Sequence, residues 1–194
     1  MTERDFEIVQ KDVLAMLDGL SPHLTYHSKA HTIDVIQQSH RIAIAENITD
    51  KKQLLLLKFA ALFHDSGFLR TYANHEIKGC EIFLEATSGL NFSEEDKEIV
   101  KELIMATKLP QQPHTHLQQV ICDSDLDYLG RDDFYSIGES LRKEFLHYNI
   151  VANNEDWEKL QLNFLGHHQY HTQSSRDLRE PVKHKYLTKL LSAT

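Results

Sequence analysis

The sequence predicts an all-α protein of eight or nine helices in a single domain. Apolar residues recur at three- and four-residue spacing along almost the whole chain, and no segment of useful length alternates between apolar and polar residues as a half-buried strand does. The 194 residues are 41% hydrophobic and 26% charged, which is typical of one soluble domain and excludes a disordered chain. The longest apolar run, Leu54 to Phe63, is too short to span a bilayer.

The first two helices are predicted from their stripes and from the residues that bound them. The first stripe runs from Phe6 to Leu20 and ends at Ser21-Pro22. Ser28 is a suitable N-cap for the second helix, because a serine hydroxyl accepts a hydrogen bond from the first turn. Asn47 is expected to stop that helix.

The third helix, residues 51–66, is the most apolar segment of the chain. It is hydrophobic on every face from Leu54 to Phe63 except at Lys58, which predicts a place at the centre of the fold. Gly67 suits its C-terminal cap. Further stripes predict helices at 75–86, 93–107, 117–129, 132–148, 155–168 and 176–192, and Pro181 either opens the last helix or kinks it.

Charge and cysteine content limit the function. The net charge of −8 argues against a partner that is a nucleic acid polymer, but a small phosphorylated substrate is compatible with a local positive site. Cys80 and Cys122 lie far apart, so they predict neither a disulfide framework nor a zinc ribbon. The N-terminus lacks the order of a signal peptide, and we expect a cytoplasmic protein with no membrane partner. The 13 histidines are unusual, since histidine is the commonest metal ligand.

Two acidic residues and one histidine carry the first chemical hypothesis. His64-Asp65 ends the most apolar helix, where both side chains need partners if they are buried. On a helical wheel of residues 117–129, Asp125 falls on the apolar face, while Asp123 and Asp127 fall on the opposite side and are expected to point outward. A carboxylate buried at Asp125 needs a cation, either a metal or an Arg or Lys side chain.

His27 and His31 lie four residues apart, as in zinc-type histidine pairs on one helix face. Because Ser28 is expected to start the helix, His27 falls in the preceding turn. We therefore expect His31 to be a metal ligand, and His27 to support a ligand or face the substrate.

The order of His31, His64-Asp65 and Asp125 on successive helices resembles the HD-domain superfamily of metal-dependent phosphohydrolases. The segments that carry this resemblance are Tyr26-His27-Ser28-Lys29-Ala30-His31-Thr32, Ala60-Ala61-Leu62-Phe63-His64-Asp65-Ser66-Gly67 and Asp123-Ser124-Asp125-Leu126-Asp127-Tyr128-Leu129-Gly130. The resemblance covers about residues 25–130. Residues 131–194 are expected to form a C-terminal helical extension of the same single domain, 1–194.

The resemblance implies a helical bundle that binds one divalent metal ion, Mn²⁺, Mg²⁺, Fe²⁺, Co²⁺ or Ni²⁺, through His31, His64, Asp65 and Asp125. It implies a phosphohydrolase in which metal-activated water cleaves a phosphomonoester or phosphodiester. The substrate would be a nucleotide or another small phosphorylated metabolite.

The remaining site assignments extend this hypothesis. Asp65 is assigned a catalytic role beside its role as a ligand, and Glu76, at the start of the helix after the His-Asp pair, is the second candidate to position water or accept a proton. The residues expected to contact the substrate are His27, His75, Lys108 and Arg176. Lys108 also fits a solvated helix end, and Arg176 a solvated basic helix face. His168 fits a packed core histidine.

Two other functions fit the same residues. A di-iron oxygenase of the HD type needs a second metal, for which His75, His114 and His116 are the candidate ligands. A non-catalytic metal- or nucleotide-binding regulatory module needs no open metal site. The sequence leaves the oligomeric state open.

Overall fold

The computed structural model describes residues 1–192, and this part of the chain contains nine α-helices and no strand. The helices are α1 Glu3–Met16, α2 Lys29–Ala45, α3 Lys51–Phe63, α4 His75–Ala86, α5 Glu94–Ala106, α6 His116–Asp125, α7 Phe134–His147, α8 Asn154–His167 and α9 Gln173–Leu191. Short 3-10 turns occupy Leu17–Gly19, Ser66–Leu69 and Asp127–Gly130. The predicted all-α single domain is confirmed for these residues; its last two positions, 193 and 194, lie outside the described residues.

Helix α3 forms the centre of the fold, as its apolar sequence predicts. From Phe59 to Phe63 each of its residues is fully buried, because α1, α2, α4, α5 and α6 all pack against it. This helix therefore fixes the position of the two polar residues that follow it, His64 and Asp65. Within the described residues, the length and hydropathy needed to cross a bilayer are found in none of the helices.

Several helix ends follow the local rules from which they were predicted. The hydroxyl of Ser28 caps α2 by accepting a hydrogen bond from the backbone N–H of His31. The hydroxyl of Ser93 caps α5 in the same way, with the N–H of Asp96 as donor. Asn47 has a left-handed backbone (φ 61°) two residues after α2 ends, which confirms it as the stop.

Gly67 has a different role from the predicted C-terminal cap. Helix α3 ends at Phe63, and Gly67 lies inside the following 3-10 turn without a positive φ. A Cβ atom at this position would lie 1.8 Å from the carbonyl oxygen of His75. The glycine is needed because the first turn of α4 approaches the backbone at this point.

Helices α7, α8 and α9 form a second layer around their own apolar cluster. Its buried members are Tyr26, Leu126, Tyr128, Leu129, Phe134, Leu165 and Tyr170. Helix α9 packs on α8 and on the 3-10 turn Asp127–Gly130, and it continues through Pro181. The C-terminal segment is therefore a structural layer of the same domain.

The prediction that Asp123 and Asp127 point outward is wrong. Both side chains are fully buried. The helical wheel assumed one helix over 117–129, but α6 ends at Asp125 and the chain turns there. The face that would have met solvent is covered by the C-terminal layer: Asp123 accepts hydrogen bonds from the backbone N–H groups of His171 and Thr172, each at 2.8 Å.

Candidate metal centre

Three packed helices bring the four predicted ligands together. His31 lies in the first turn of α2, His64 and Asp65 directly follow α3, and Asp125 is the last residue of α6. Because α2, α3 and α6 pack against one another, these helix ends meet at one point inside the protein. The prediction that Asp125 faces inward is confirmed, since the adjacent residues Ile121, Cys122, Tyr128 and Leu129 are all buried.

The donor atoms of His31, His64 and Asp65 lie within 4.8 Å of one another, and Asp125 adjoins the two histidines. The Nε2 atoms of His31 and His64 are 3.3 Å apart. Asp125 Oδ1 lies 3.1 Å from His31 Nε2 and 3.6 Å from His64 Nε2. Asp65 Oδ2 lies 3.4 Å and 3.2 Å from the same two nitrogens. Two imidazoles and two carboxylates therefore share one small volume.

The backbone fixes the orientation of His64. Its ring is fully buried, and its Nδ1–H donates a hydrogen bond to the carbonyl oxygen of Ala61 at 2.8 Å. A carbonyl oxygen only accepts, so the proton of neutral His64 is on Nδ1 and the lone pair of Nε2 points into the cluster. Metal-binding histidines in proteins are commonly held by such a bond from the other nitrogen.

Two further observations indicate that these residues suit a divalent metal ion. Asp65 Oδ2 is buried and accepts no hydrogen bond, so it lacks a partner that such an oxygen normally requires. Nitrogen and oxygen donors bind divalent ions at about 2.0–2.2 Å, which places adjacent donors about 3 Å apart around one ion. The distances of 3.1–3.6 Å in the cluster are close to that spacing.

The charges of the cluster favour a cation at its centre. Burial by itself would raise the pKa of Asp125, but its hydrogen bond with His31 and the nearby charge of His64 lower it to about 2. The pKa of Asp65 is well below its ordinary value, because the charge of His64 outweighs burial. Conversely, Asp65 and Asp125 raise the pKa of the buried His64 well above its usual range. A divalent ion supplies the positive charge that otherwise a proton provides.

His75 and Glu76 lie beside the cluster, on the first turn of α4. His75 Nε2 is 3.4 Å from Asp65 Oδ1, whereas His31 and His64 approach the other oxygen, Oδ2. Glu76 Oε1 is 3.8 Å from the same nitrogen, and Glu76 Oε2 is buried without a hydrogen bond. The structure thus brings both predicted residues to the candidate metal centre.

His27 also lies at the site, held by a residue that the sequence reasoning missed. The turn before α2 places His27 against the side of α7, where its Nδ1 hydrogen-bonds Glu144. Glu144 is fully buried and also accepts from the backbone N–H of Tyr26 at 2.9 Å and from the hydroxyl of Tyr72 at 3.1 Å. The available signal was an acidic residue on the apolar stripe of α7, between Leu141 and Phe145.

The hydrogen bond to Glu144 changes the charge of His27. Burial lowers the pKa of His27, but the hydrogen bond to Glu144 and the charge of Asp65 raise it by more. The protonated form of His27 therefore persists to higher pH than that of a free imidazole. Because Nδ1 is bonded to Glu144, Nε2 remains for a ligand.

A cavity of about 520 Å³ opens beside the cluster. Asp65 and Asp125 line it together with three of the predicted substrate contacts, His27, His75 and Lys108. The ammonium of Lys108 donates to Asn74 Oδ1 at 3.0 Å. The aromatic ring of Phe68 stacks with both His27 and His75, with centroid distances of 4.3 and 3.9 Å.

The structure does not bring Arg176 to this cavity. Arg176 is exposed on α9, where its nearest polar partner is the side chain of Gln173 at 3.5 Å. Lys183 does not line the cavity either: it is buried and donates to the backbone carbonyl of His168. Helix α9 packs on the second apolar layer, so its cations contact that layer and solvent.

Fold and site together define an all-helical protein with a candidate metal centre of two histidines and two aspartates. Neither the models of known families, nor the curated proteins, nor the solved structures contain a match to this chain.

Proposed function

We propose that the protein is a metal-dependent phosphohydrolase that acts in the cytoplasm. Its substrate would be a phosphomonoester or phosphodiester of a nucleotide or another small phosphorylated metabolite. The observation that carries the proposal is the convergence of His31, His64, Asp65 and Asp125 beside a cavity that the two aspartates line and that is large enough for a small organic molecule.

The four residues would hold one divalent ion, Mn²⁺, Mg²⁺, Fe²⁺, Co²⁺ or Ni²⁺. Such an ion supplies a Lewis acid that polarises a phosphoryl oxygen and lowers the pKa of water. Two histidines and two carboxylates leave positions open for water and substrate, whereas structural zinc sites are closed by four Cys and His ligands.

The chain's own residues supply the remaining functions. His27 Nε2 and Lys108 donate hydrogen bonds to phosphoryl oxygens and balance their charge. Glu76, with a carboxylate oxygen that has no partner, accepts the proton of the attacking water. The bond from water oxygen to phosphorus forms as the ester P–O bond breaks, and the leaving oxygen takes a proton from solvent. Asp65 Oδ1 orients His75 beside the reacting groups.

The test combines metal analysis with a phosphatase assay. The purified protein is analysed by elemental mass spectrometry, reloaded separately with each of the five ions, and assayed for phosphate release from generic phosphomonoesters and phosphodiesters. We expect about one ion per chain. His31→Gln and Asp125→Asn remove one donor each and should lower both metal content and turnover, the latter about 100-fold or more.

A matched variant separates loss of the site from loss of the fold. His40→Gln changes an exposed histidine on α2, the helix that carries His31, and should keep both metal and activity. Circular dichroism establishes that each variant remains folded. Folded protein that binds no metal and releases no phosphate would contradict the proposal and favour a non-catalytic binding module.

A di-iron oxygenase is the second candidate, and one observation favours it. His75 Nε2 adjoins the second oxygen of Asp65 and lies 3.8 Å from Glu76, whose Oε2 is buried without a partner, so another ion would find nitrogen and oxygen donors there. His114 and His116, the other candidate ligands, are not among the residues that line the cavity. Two irons per chain and no phosphate release would favour this function.

A further inference from the structure

The cavity contains few groups that would bind a chain of phosphates. Among its described lining residues, Lys108 is the one lysine or arginine, whereas Asp65, Glu76 and Asp125 are acidic. Lys108 is itself exposed and bonded to Asn74. A nucleoside triphosphate carries about four negative charges, which sites for such substrates balance with several cationic groups. The charge of this cavity is suited to one phosphoryl group.

The nearby arginines do not change this balance, because they bind another carboxylate. Arg41 and Arg179 donate to the buried Asp127 at 2.7 and 2.9 Å, and neither lines the cavity. Arg131 lies beside them, 3.6 Å from Asp127, and also pairs with Asp34 at 2.7 Å. These guanidinium groups stabilise the second layer of the fold.

A second wall of the cavity is mainly apolar, although Gln161 and Asn163 also line it. It is formed by α7, α8 and the loop between them, and includes Leu141, Phe145, Ile150, Trp157, Leu160 and Phe164. Two of these side chains are well exposed although they line the cavity: Ile150 is 47% exposed and Leu160 is 39% exposed. A ligand with an apolar body would remove this surface from water, which favours binding by about 25 cal/mol for each Å² covered.

We propose that the substrate is a phosphomonoester with one phosphoryl group and an alkyl or aromatic organic part. The phosphoryl group lies at Asp65, Asp125 and His27, and the organic part lies against the wall of α7 and α8. The proposal rests on the function proposed above, which it narrows to one class of substrate.

The only tryptophan of the chain, Trp157, lies in this wall and provides a direct readout of binding. We would titrate the Mg²⁺-loaded protein with octylphosphonate and with propylphosphonate, which cannot be hydrolysed as phosphate esters. Each further buried methylene strengthens binding about fourfold. The emission of Trp157 should therefore report a Kd for octylphosphonate at least about 30-fold below that for propylphosphonate.

Two substitutions test where the alkyl chain binds. Leu160→Glu places a charge on the cavity wall at a partly exposed position, and should weaken octylphosphonate about 10-fold or more with little effect on propylphosphonate. Leu178→Glu makes the same change at a side chain on α9 that is 50% exposed and does not line the cavity, and should leave both affinities unchanged.

Hydrolysis distinguishes this inference from the function on which it rests. We expect kcat/KM for octyl phosphate to exceed that for propyl phosphate and for ATP. Equal affinity for the two phosphonates, equal effects of the two leucine substitutions, or faster hydrolysis of ATP would overturn the inference and leave a phosphohydrolase in place. Tight binding of octylphosphonate without phosphate release under any of the five ions would overturn the proposed function and support the ligand class.

Discussion

Glu76 is a buried acid in a chemically unusual position. It is 7% exposed, one of its oxygens has no hydrogen-bond partner, and it lines the cavity close to Asp65. A carboxylate that is buried without partners costs free energy, so such a group is retained where something else needs it. In the proposed reaction, Glu76 needs that free oxygen to accept a proton from water.

The first prediction concerns Glu76→Gln. The substitution keeps the size of the side chain but removes its ability to accept a proton, so kcat should fall about 100-fold while the metal content remains unchanged. Phosphate release and elemental analysis on the same preparation measure both. The control is Glu85→Gln, an exposed acid on the same helix, which should match the parent. Unchanged turnover with bound metal would remove Glu76 from the mechanism.

At the scale of elements, α7 connects the turn before α2 to the segment before α4. Its buried Glu144 accepts hydrogen bonds from the backbone of Tyr26 and His27, from the ring of His27 and from the hydroxyl of Tyr72. Tyr72 in turn contacts Phe68, with ring centroids 5.2 Å apart. One side chain of α7 therefore positions both sides of the cavity, although it does not line the cavity itself.

The second prediction is that Glu144→Gln acts through His27. Glutamine has one acceptor oxygen and no charge, so the pKa of His27 should fall. The hydrogen bond that His27 Nε2 donates to the phosphoryl group should then be weaker. We expect kcat/KM to fall about 10- to 100-fold with the metal retained. The basic limb of the activity profile that reports protonated His27 should move to lower pH.

NMR titration of the His27 ring protons in the Mg²⁺-loaded protein tests that mechanism directly, with His27→Gln used to assign the signals. Glu139→Gln changes a half-exposed acid on the same helix and should leave the titration where it is. If the role of Glu144 were purely structural, Glu144→Gln would lower the stability of the protein but leave the pKa of His27 unchanged. That result would contradict the assignment of Glu144 as a positioning residue.

At the scale of the whole molecule, the features predicted correctly from the sequence are those that depend on residues close together in the chain. Helix periodicity placed α3 at the centre, and the cap at Ser28 correctly put His27 before α2 and His31 inside it. The surroundings of Asp123 and Glu144 depend on contacts with segments distant in sequence. Asp123 binds the backbone 48 residues later, and Glu144 binds a turn 118 residues earlier. No periodicity within one helix contains that information.

The contact between α8 and α9 illustrates the same dependence on tertiary structure. The amine of the buried Lys183 on α9 donates to the carbonyl of His168 and lies 3.2 Å from Nδ1 of its ring. The ring of His168 packs against Phe164 and Tyr170, and its Nε2 has no hydrogen-bond partner. His168 is partly buried, in agreement with its expected place among packed residues. The sequence did not predict that the charged amine of Lys183 lies beside its ring.

The third prediction follows from the charge of this contact. Burial, and then the charge of Lys183, lower the pKa of His168 from 6.5 to about 3. In the unfolded chain the same histidine takes up a proton below about pH 6.5, while in the folded chain it remains neutral until about pH 3. Between these values the unfolded state binds more protons. The free energy of unfolding therefore decreases as the pH falls, and His168 accounts for about 2 kcal/mol of this decrease at pH 5.

His168→Asn keeps an acceptor for the Lys183 amine but does not titrate. Between pH 7 and pH 5, the free energy of unfolding measured in urea should therefore fall by about 2 kcal/mol less in this variant than in the parent. The comparison between the two proteins cancels the titration of the groups they share, including His64 and His27, whose raised pKa values act in the opposite direction. His40→Asn, a change at an exposed histidine, should keep the pH dependence of the parent. If His168→Asn and the parent lose equal stability on acidification, His168 is protonated in the folded protein and the contact between α8 and α9 accommodates its charge.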